Sequence, residues 1–246
     1  MYLVDVNCDM GEGFPDDAFL MPYISSANIA CGAHAGNETL MKHTIELAMA
    51  SGVKIGAHPG FADPDHFGRR ELQLSPAALT DLIQSQVQQL KKYTEAAGAK
   101  LHHVKPHGAL YNMSARQPDI AHIIANAVKE IDPDLILYGL SNSCSIEAAF
   151  EIQLPVWNEV FADRRYQSNG ALLSRSNPNA LIKDSKDCCL QAEQMIVHHA
   201  VTCYDGGVIP LVPDTICLHG DGPTAVTLAT HLFKHFQEKH IELRKN

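Results

Sequence analysis

Acidic, amide and imidazole side chains recur along this 246-residue chain at short intervals, each time inside or just beyond a short apolar run. Asp5, Asn7 and Asp9 alternate with Val4 and Val6, so an extended segment there has one polar and one apolar face. Asn28 shares its parity with His34 beyond the end of the next run, Lys54 with His58, and His103 with Lys105 and His107. Further on, Glu159 pairs in this sense with Asp163, and His219 with Asp221. A polar side chain facing a packed interior costs stability unless it is partnered. Five histidines at successive run ends, with carboxylates and a lysine among them, therefore read as a pocket for acid–base chemistry with electrostatic support.

Taken singly, each of these histidines is more often structural than catalytic, and only their shared placement argues otherwise. His66, His198, His199, His231, His235 and His240 lack that placement and are expected on solvated helix faces and loops. Cys31 lies near His34 in sequence, but its parity turns it toward a helix layer, as a buried thiol. Metal chemistry would use the same residue types. His103 and His107, however, flank Lys105-Pro106 at a strand end rather than sharing a helix face, and an ammonium in the cluster opposes a divalent cation. No metal ligands are assigned; a metal is disfavoured without being excluded.

Two Gly-rich turns, Gly32-Ala-His-Ala-Gly-Asn37 and His219-Gly-Asp-Gly-Pro223, precede helical patterns and could cradle an anion. No G-x-x-x-x-G-K-[ST] occurs, and no G-x-G-x-x-G follows a strand, which disfavours a P-loop ATPase and a dinucleotide enzyme.

The elements that must position these residues form a βα rhythm. Strands are expected at Leu3–Cys8, Ala27–Cys31, Val53–Ala57, Leu101–Lys105, Leu135–Tyr138, Val156–Phe161 and Ile216–Leu218, seven in all. Helices are expected at about Glu38–Ala50, Pro76–Ala97, Pro118–Ile131, Ser143–Glu151, Ser185–Cys203 and Thr224–Lys239. Such alternation implies an α/β fold with parallel strands, in which ligands bind at the C-terminal strand ends. The irregular stretch Asp163–Asp184 is too long for a connector and reads as a lid. No linker or low-complexity segment divides residues 1–246, so a single domain is expected.

Hydrophobic residues make up 46% and charged residues 19%, the balance of a folded globular chain. The formal net charge of −9 repels phosphate backbones and anionic lipid, so neither nucleic acid nor a membrane is an expected partner. The start of the chain shows no basic segment followed by an apolar one, and no apolar run approaches the roughly 20 residues of a membrane span. Seven cysteines without a Cys-x-x-Cys pair argue for reduced thiols. A cytoplasmic protein is expected.

Six motifs occur in order: Asp5-Val-Asn-Cys-Asp-Met-Gly-Glu12, Asn28-Ile-Ala-Cys-Gly-Ala-His34-Ala-Gly36, Gly56-Ala-His-Pro-Gly-Phe61, His103-Val-Lys-Pro-His-Gly-Ala-Leu-Tyr111-Asn112, Glu159-Val-Phe-Ala-Asp-Arg-Arg-Tyr166 and Cys217-Leu-His-Gly-Asp221. Across nearly the whole chain this set resembles the LamB/YcsF family. The resemblance implies a seven-stranded β/α barrel of the glycoside hydrolase/deacetylase type. It also implies an ATP-hydrolysing 5-oxoprolinase, in which such a chain, with two partner subunits (B and C), opens the cyclic amide 5-oxo-L-proline to L-glutamate while the complex hydrolyses ATP. Asn37 departs from the acidic residue expected after the His-Ala-Gly run, though it still serves as a helix cap.

For such a reaction His58, His107 or Asp9 are candidate general bases, and Lys105 is the candidate support for developing negative charge. Arg164 or Arg165 are candidate donors to the substrate carboxylate. Asp5, Asn7, Asn28, His34, His103, Glu159, Asp163, His219 and Asp221 complete the expected substrate-binding set. Two other readings of the residues are a metal-dependent carbohydrate deacetylase and a non-catalytic subunit that presents substrate to its partners.

Overall fold

The computed structural model describes residues 2–220, 222 and 224–244. Its strands in chain order are β1 (Tyr2–Met10), β2 (Ser26–Ala30), β3 (Lys54–His58), β4 (Leu101–Val104), β5 (Ile136–Leu140), β6 (Val156–Phe161), β7 (Ala200–Thr202), β8 (Val208–Pro210), β9 (Thr215–Leu218) and β10 (Ile241–Leu243). The seven expected strands pair in parallel in the order β1-β2-β3-β4-β5-β6-β9, and β9 pairs back onto β1, which closes the barrel. β10 adds in parallel beside the first residues of β1, with Tyr2 opposite Ile241.

The barrel strands bury one face against helices: Val4, Val6, Cys8 and Met10 on β1, and Ala27 and Ile29 on β2, are at most 1% exposed. The helices are α1 (Asp17–Leu20), α2 (Glu38–Ser51), α3 (Pro76–Ala96), α4 (Gly108–Arg116), α5 (Pro118–Ile131), α6 (Cys144–Glu151), α7 (Ser185–His198) and α8 (Ala225–Glu238). Their apolar stripes follow helical spacing, as in Leu79, Ile83, Val87 and Leu90 of α3 and Met41, Ile45 and Ala48 of α2. Local signals set their ends. Asn37 accepts a hydrogen bond from the Leu40 amide at 3.0 Å, and Ser75, followed by Pro76, accepts one from Ala78.

Two expectations are corrected. The helix expected to reach Cys203 stops at His198: His199 turns to φ +50°, and β7 then pairs antiparallel with β8. The expected helices leave out Gly108–Arg116, which forms α4 with Leu110, Tyr111 and Met113 buried. Among the described residues no helix is long and apolar enough to cross a membrane.

The closed barrel leaves the opposite strand parity facing inward. There Asp9 lies opposite Asn28, Asn28 opposite Gly56 and Gly56 opposite His103. Gly56 has no side chain because His103 fills its place: a Cβ there would lie 2.0 Å from the imidazole Nε2.

Candidate functional site

A cavity of about 1050 Å³ opens at the C-terminal ends of the strands, with Asp9, Glu12, His58, Lys105, His107 and His219 on its floor. The segment expected as a lid contributes Arg164, Arg175 and most of the residues between them to the lining. Two isolated antiparallel bridges, Arg164 with Leu181 and Tyr166 with Leu172, tie that segment to itself.

Lys105, immediately beyond β4, is 3% exposed and holds the centre. Its Nζ lies 2.9 Å from Asp9 Oδ1, 2.8 Å from Glu159 Oε1, 3.2 Å from Asn7 Oδ1 and 3.1 Å from Cys217 Sγ. Burial alone would release its proton, but Asp9, Cys217 and Glu159 outweigh burial and hold the ammonium well above the usual lysine range. Burial likewise works to protonate Asp9, and His58 and Lys105 overcome it, holding that carboxyl well below the usual range. Removing one member of such a buried set leaves the others uncompensated.

Beneath this layer the polar interior is closed on itself. Asn28 Nδ2 donates to Asn7 Oδ1 and to Asp9 Oδ1, each at 2.8 Å, while its Oδ1 accepts from His103 Nε2 at 2.7 Å. Asn7 Nδ2 donates to Glu159 Oε1 at 2.9 Å and to Thr215 Oγ1 at 2.8 Å. His103 stacks on Tyr138 with ring centroids 4.1 Å apart, and burial holds its pKa well below the usual imidazole value. One layer lower, Asp5 accepts from Ser26 at 2.7 Å and Thr215 at 2.6 Å, with Lys54 at 3.7 Å; burial still raises its pKa. Asp5, Asn7, Asn28, His103 and Glu159, expected to touch substrate, are fully buried and line no part of the cavity. They brace Asp9 and Lys105 from below.

At the rim, His219 Nδ1 lies 2.9 Å from both oxygens of Asp163. Burial tends to raise the Asp163 pKa, and His219 more than reverses it. With that carboxylate accepting from Nδ1, the imidazole presents Nε2 as its second nitrogen. Arg164 lines the cavity, donating to the Leu173 carbonyl at 2.8 Å, and burial with neighbouring Arg175 lowers its pKa to about 10, leaving it cationic at neutral pH. Arg165 does not line the cavity, and Asp221 lies outside the described residues.

A second group gathers beside Lys105. Imidazoles of His34, His58 and His107 surround Glu12, whose Oε1 is 3.4 Å from His34 Nε2, 3.4 Å from His107 Nδ1 and 3.9 Å from His58 Nε2. His34 and His107 stack with centroids 3.8 Å apart and planes 3° from parallel. His34 is buried behind this group rather than exposed to the cavity. Glu12 escapes strand parity because Gly11 leaves strand geometry at φ +69°, after which alternation no longer says where a side chain points. Its one signal in the sequence is an acidic residue closing the first motif. Arg175 escapes it too, because a lone arginine in an irregular segment has no periodicity to place it.

A relative from Staphylococcus carnosus, named as the A subunit of 5-oxoprolinase, is 46% identical over 247 residues, covering 98% of each chain. One of the same name from Bacillus cytotoxicus is 47% identical over 243 residues, covering 96% of each. The crystal structure of a lactam utilization protein from Thermus thermophilus superposes with a TM-score of 0.93 at 38% identity, covering 99% of both chains. The LamB/YcsF family description matches residues 4–246, and with these relatives spanning its length the chain belongs to the LamB/YcsF family.

Proposed function

We propose that this chain is the A subunit of an ATP-dependent 5-oxoprolinase, opening the lactam of 5-oxo-L-proline to L-glutamate together with two further subunits (B and C), in the cytoplasm and as one domain over residues 1–246. The observation that carries the reading is the buried Lys105 ammonium at the cavity floor, in a chain whose relatives of 43–47% identity carry that name.

A five-membered lactam resists water because its nitrogen lone pair is delocalised into the carbonyl. ATP spent by the assembled complex supplies the activation: a phosphoryl group on the carbonyl oxygen makes the carbon electrophilic. Water then adds, the C–N bond breaks as nitrogen takes a proton, and a second water releases phosphate from the resulting acyl phosphate. In this reading Lys105 offsets the negative charge of the phosphoryl group as it is transferred to that oxygen. His219, oriented by Asp163, serves as the group that takes a proton from water and returns one to nitrogen. Arg164 and Arg175 provide cations for the carboxylate and phosphate. With no P-loop in the sequence, nucleotide handling is assigned to the assembly rather than to this chain.

The test is reconstitution with the two partner subunits and measurement of 5-oxoproline-dependent release of phosphate and glutamate. The complete mixture should turn over and this chain alone should not. A complete mixture that releases neither product overturns the reading.

A further inference from the structure

The two backbone carbonyls behind His58 and His107 create an unsatisfied arrangement in front of them. His58 Nδ1 lies 2.7 Å from the Lys105 carbonyl oxygen, and His107 Nε2 lies 2.9 Å from that of Phe67. A carbonyl only accepts, so each of these nitrogens carries the hydrogen. Were both rings neutral, His58 Nε2 and His107 Nδ1 would both be bare lone pairs, facing each other at 2.9 Å with Asp9 Oδ2 3.4 Å from His58 Nε2. Two lone pairs do not bond; something positive must lie between or beside them.

The surroundings favour a cation larger than a proton. Neither nitrogen of His34, a residue 1% exposed, has a hydrogen-bond partner among the described residues, yet its Nε2 points at the same group, 3.4 Å from Glu12 Oε1. One ligand atom from each of Glu12, His34, His58 and His107 lies within 4.8 Å of the other three. Zinc–nitrogen bonds of about 2.0–2.1 Å in a tetrahedron set ligand atoms roughly 3.3–3.4 Å apart. Four of the six separations here are 2.9, 3.4, 3.4 and 3.9 Å, and the two from His34 to the other imidazoles are within 4.8 Å. Hydrogen bonds from the far ring nitrogens to carbonyls are the usual means of fixing the tautomer and aim of metal-bound imidazoles.

The Lys105 ammonium, expected from the sequence to oppose a divalent cation, points elsewhere: its partners are Asp9, Glu159, Asn7 and Cys217. Lys105 with Asp9 and Glu159 leaves one net negative charge beside the histidines, a surplus that favours a divalent ion. Packing keeps the ring cage tight: a Cβ on Gly60 would lie 2.6 Å from His34 Nδ1, and one on Gly68 2.8 Å from His34 Cβ.

We propose that Glu12, His34, His58 and His107 form a binding site for one divalent transition-metal ion, zinc being the best match to three imidazoles and a carboxylate. Glu12, His58 and His107 also line the cavity, so the site faces the space where substrate would lie. The function proposed above neither requires nor supplies this ion.

The experiment uses untagged full-length protein, stripped with chelator and titrated with Co²⁺ and then Zn²⁺. Visible absorption and calorimetry are the readouts, so the outcome is independent of lactam turnover. Wild-type protein should bind one equivalent of Co²⁺ with ligand-field bands of a nitrogen-rich site, and Zn²⁺ should displace it. His34→Ala and Glu12→Gln, checked for native circular dichroism, should each weaken binding at least tenfold, while His66→Ala on the exterior should bind as wild type does. Uptake below a tenth of an equivalent by the wild-type protein overturns the site and leaves a proton shared between His58 and His107 as the answer. Unchanged affinity in His34→Ala or Glu12→Gln overturns the assignment equally, and should a variant not fold, the wild-type stoichiometry alone decides.

Discussion

His219 and Asp163 stand end to end, with Nδ1 at 2.9 Å from each carboxylate oxygen. This geometry fixes both the rotation and the tautomer of the imidazole. Asp163→Asn keeps the shape but offers a side chain able to present a donor to Nδ1, which disturbs the tautomer. In the reconstituted complex we expect the rate to fall roughly 10²–10⁴-fold, the range seen when an orienting carboxylate is neutralised. Stability above about pH 4 should fall as well, because the Asp163 carboxylate with its lowered pKa contributes to it. Unaltered turnover would remove His219 from the proton-transfer role.

Lys105→Met removes the charge and keeps the length. Rate in the assembled complex should drop about 10²–10³-fold if the ammonium acts on developing charge. Stability should fall as well, by about 3–5 kcal/mol, because Asp9 and Glu159 are left buried together. Turnover and denaturant unfolding measured on the same variant separate these effects, and near-normal turnover would exclude Lys105 from catalysis.

Gly56→Ala tests the inward layer. The new methyl would meet His103 Nε2 at 2.0 Å and Cδ2 at 2.2 Å, so the ring must leave Asn28. A loss of about 1–3 kcal/mol or more is expected. Adding His103→Ala to that variant should restore part of it, a coupling that a double-mutant cycle reads directly.

The carboxyls of Asp9 and Asp163 are held below their ordinary range in the folded protein. A depressed folded pKa gives stability that is present above the unfolded value, near 3.8 for both, and is lost as pH falls through the folded value. Unfolding followed from pH 6 downward should therefore show stability declining below about pH 4, and Asp9→Asn should flatten that decline. Lys105 works with the opposite sign: its raised pKa gives stability complete below the ordinary lysine value and lost only at higher, strongly alkaline pH.

The barrel was readable because its strands are short apolar runs of period two, and the same alternation separates Asn7 and Lys105 from Val6 and Val104 in the sequence alone. Depth was not readable. Parity says that Asp5 and Asp9 face inward together, but only closure of β9 onto β1 shows that Asp5 is sealed below while Asp9 meets the cavity. His34 and Glu12 sit on turns whose glycines take positive φ, at Gly32, Gly36 and Gly11. There the path of the chain, not its periodicity, decides which side chains meet. The His34–His107 stack joins positions 73 apart in the sequence numbering, a proximity no local pattern encodes.

Closure of the barrel also sets when the floor comes into being during synthesis. Asn7 leaves the ribosome early, but its donor to Thr215 and its donor to Glu159 find partners only 208 and 152 residues later. Until β9 emerges and docks between β6 and β1, neither Lys105 nor Asp9 has its full surroundings. The nascent chain therefore passes through most of its length with these charges still hydrated and without the braced floor on which the proposed chemistry depends. The floor is complete only once β9 has docked, and a chain cut short before β9 would be incomplete at the centre as well as at its edge.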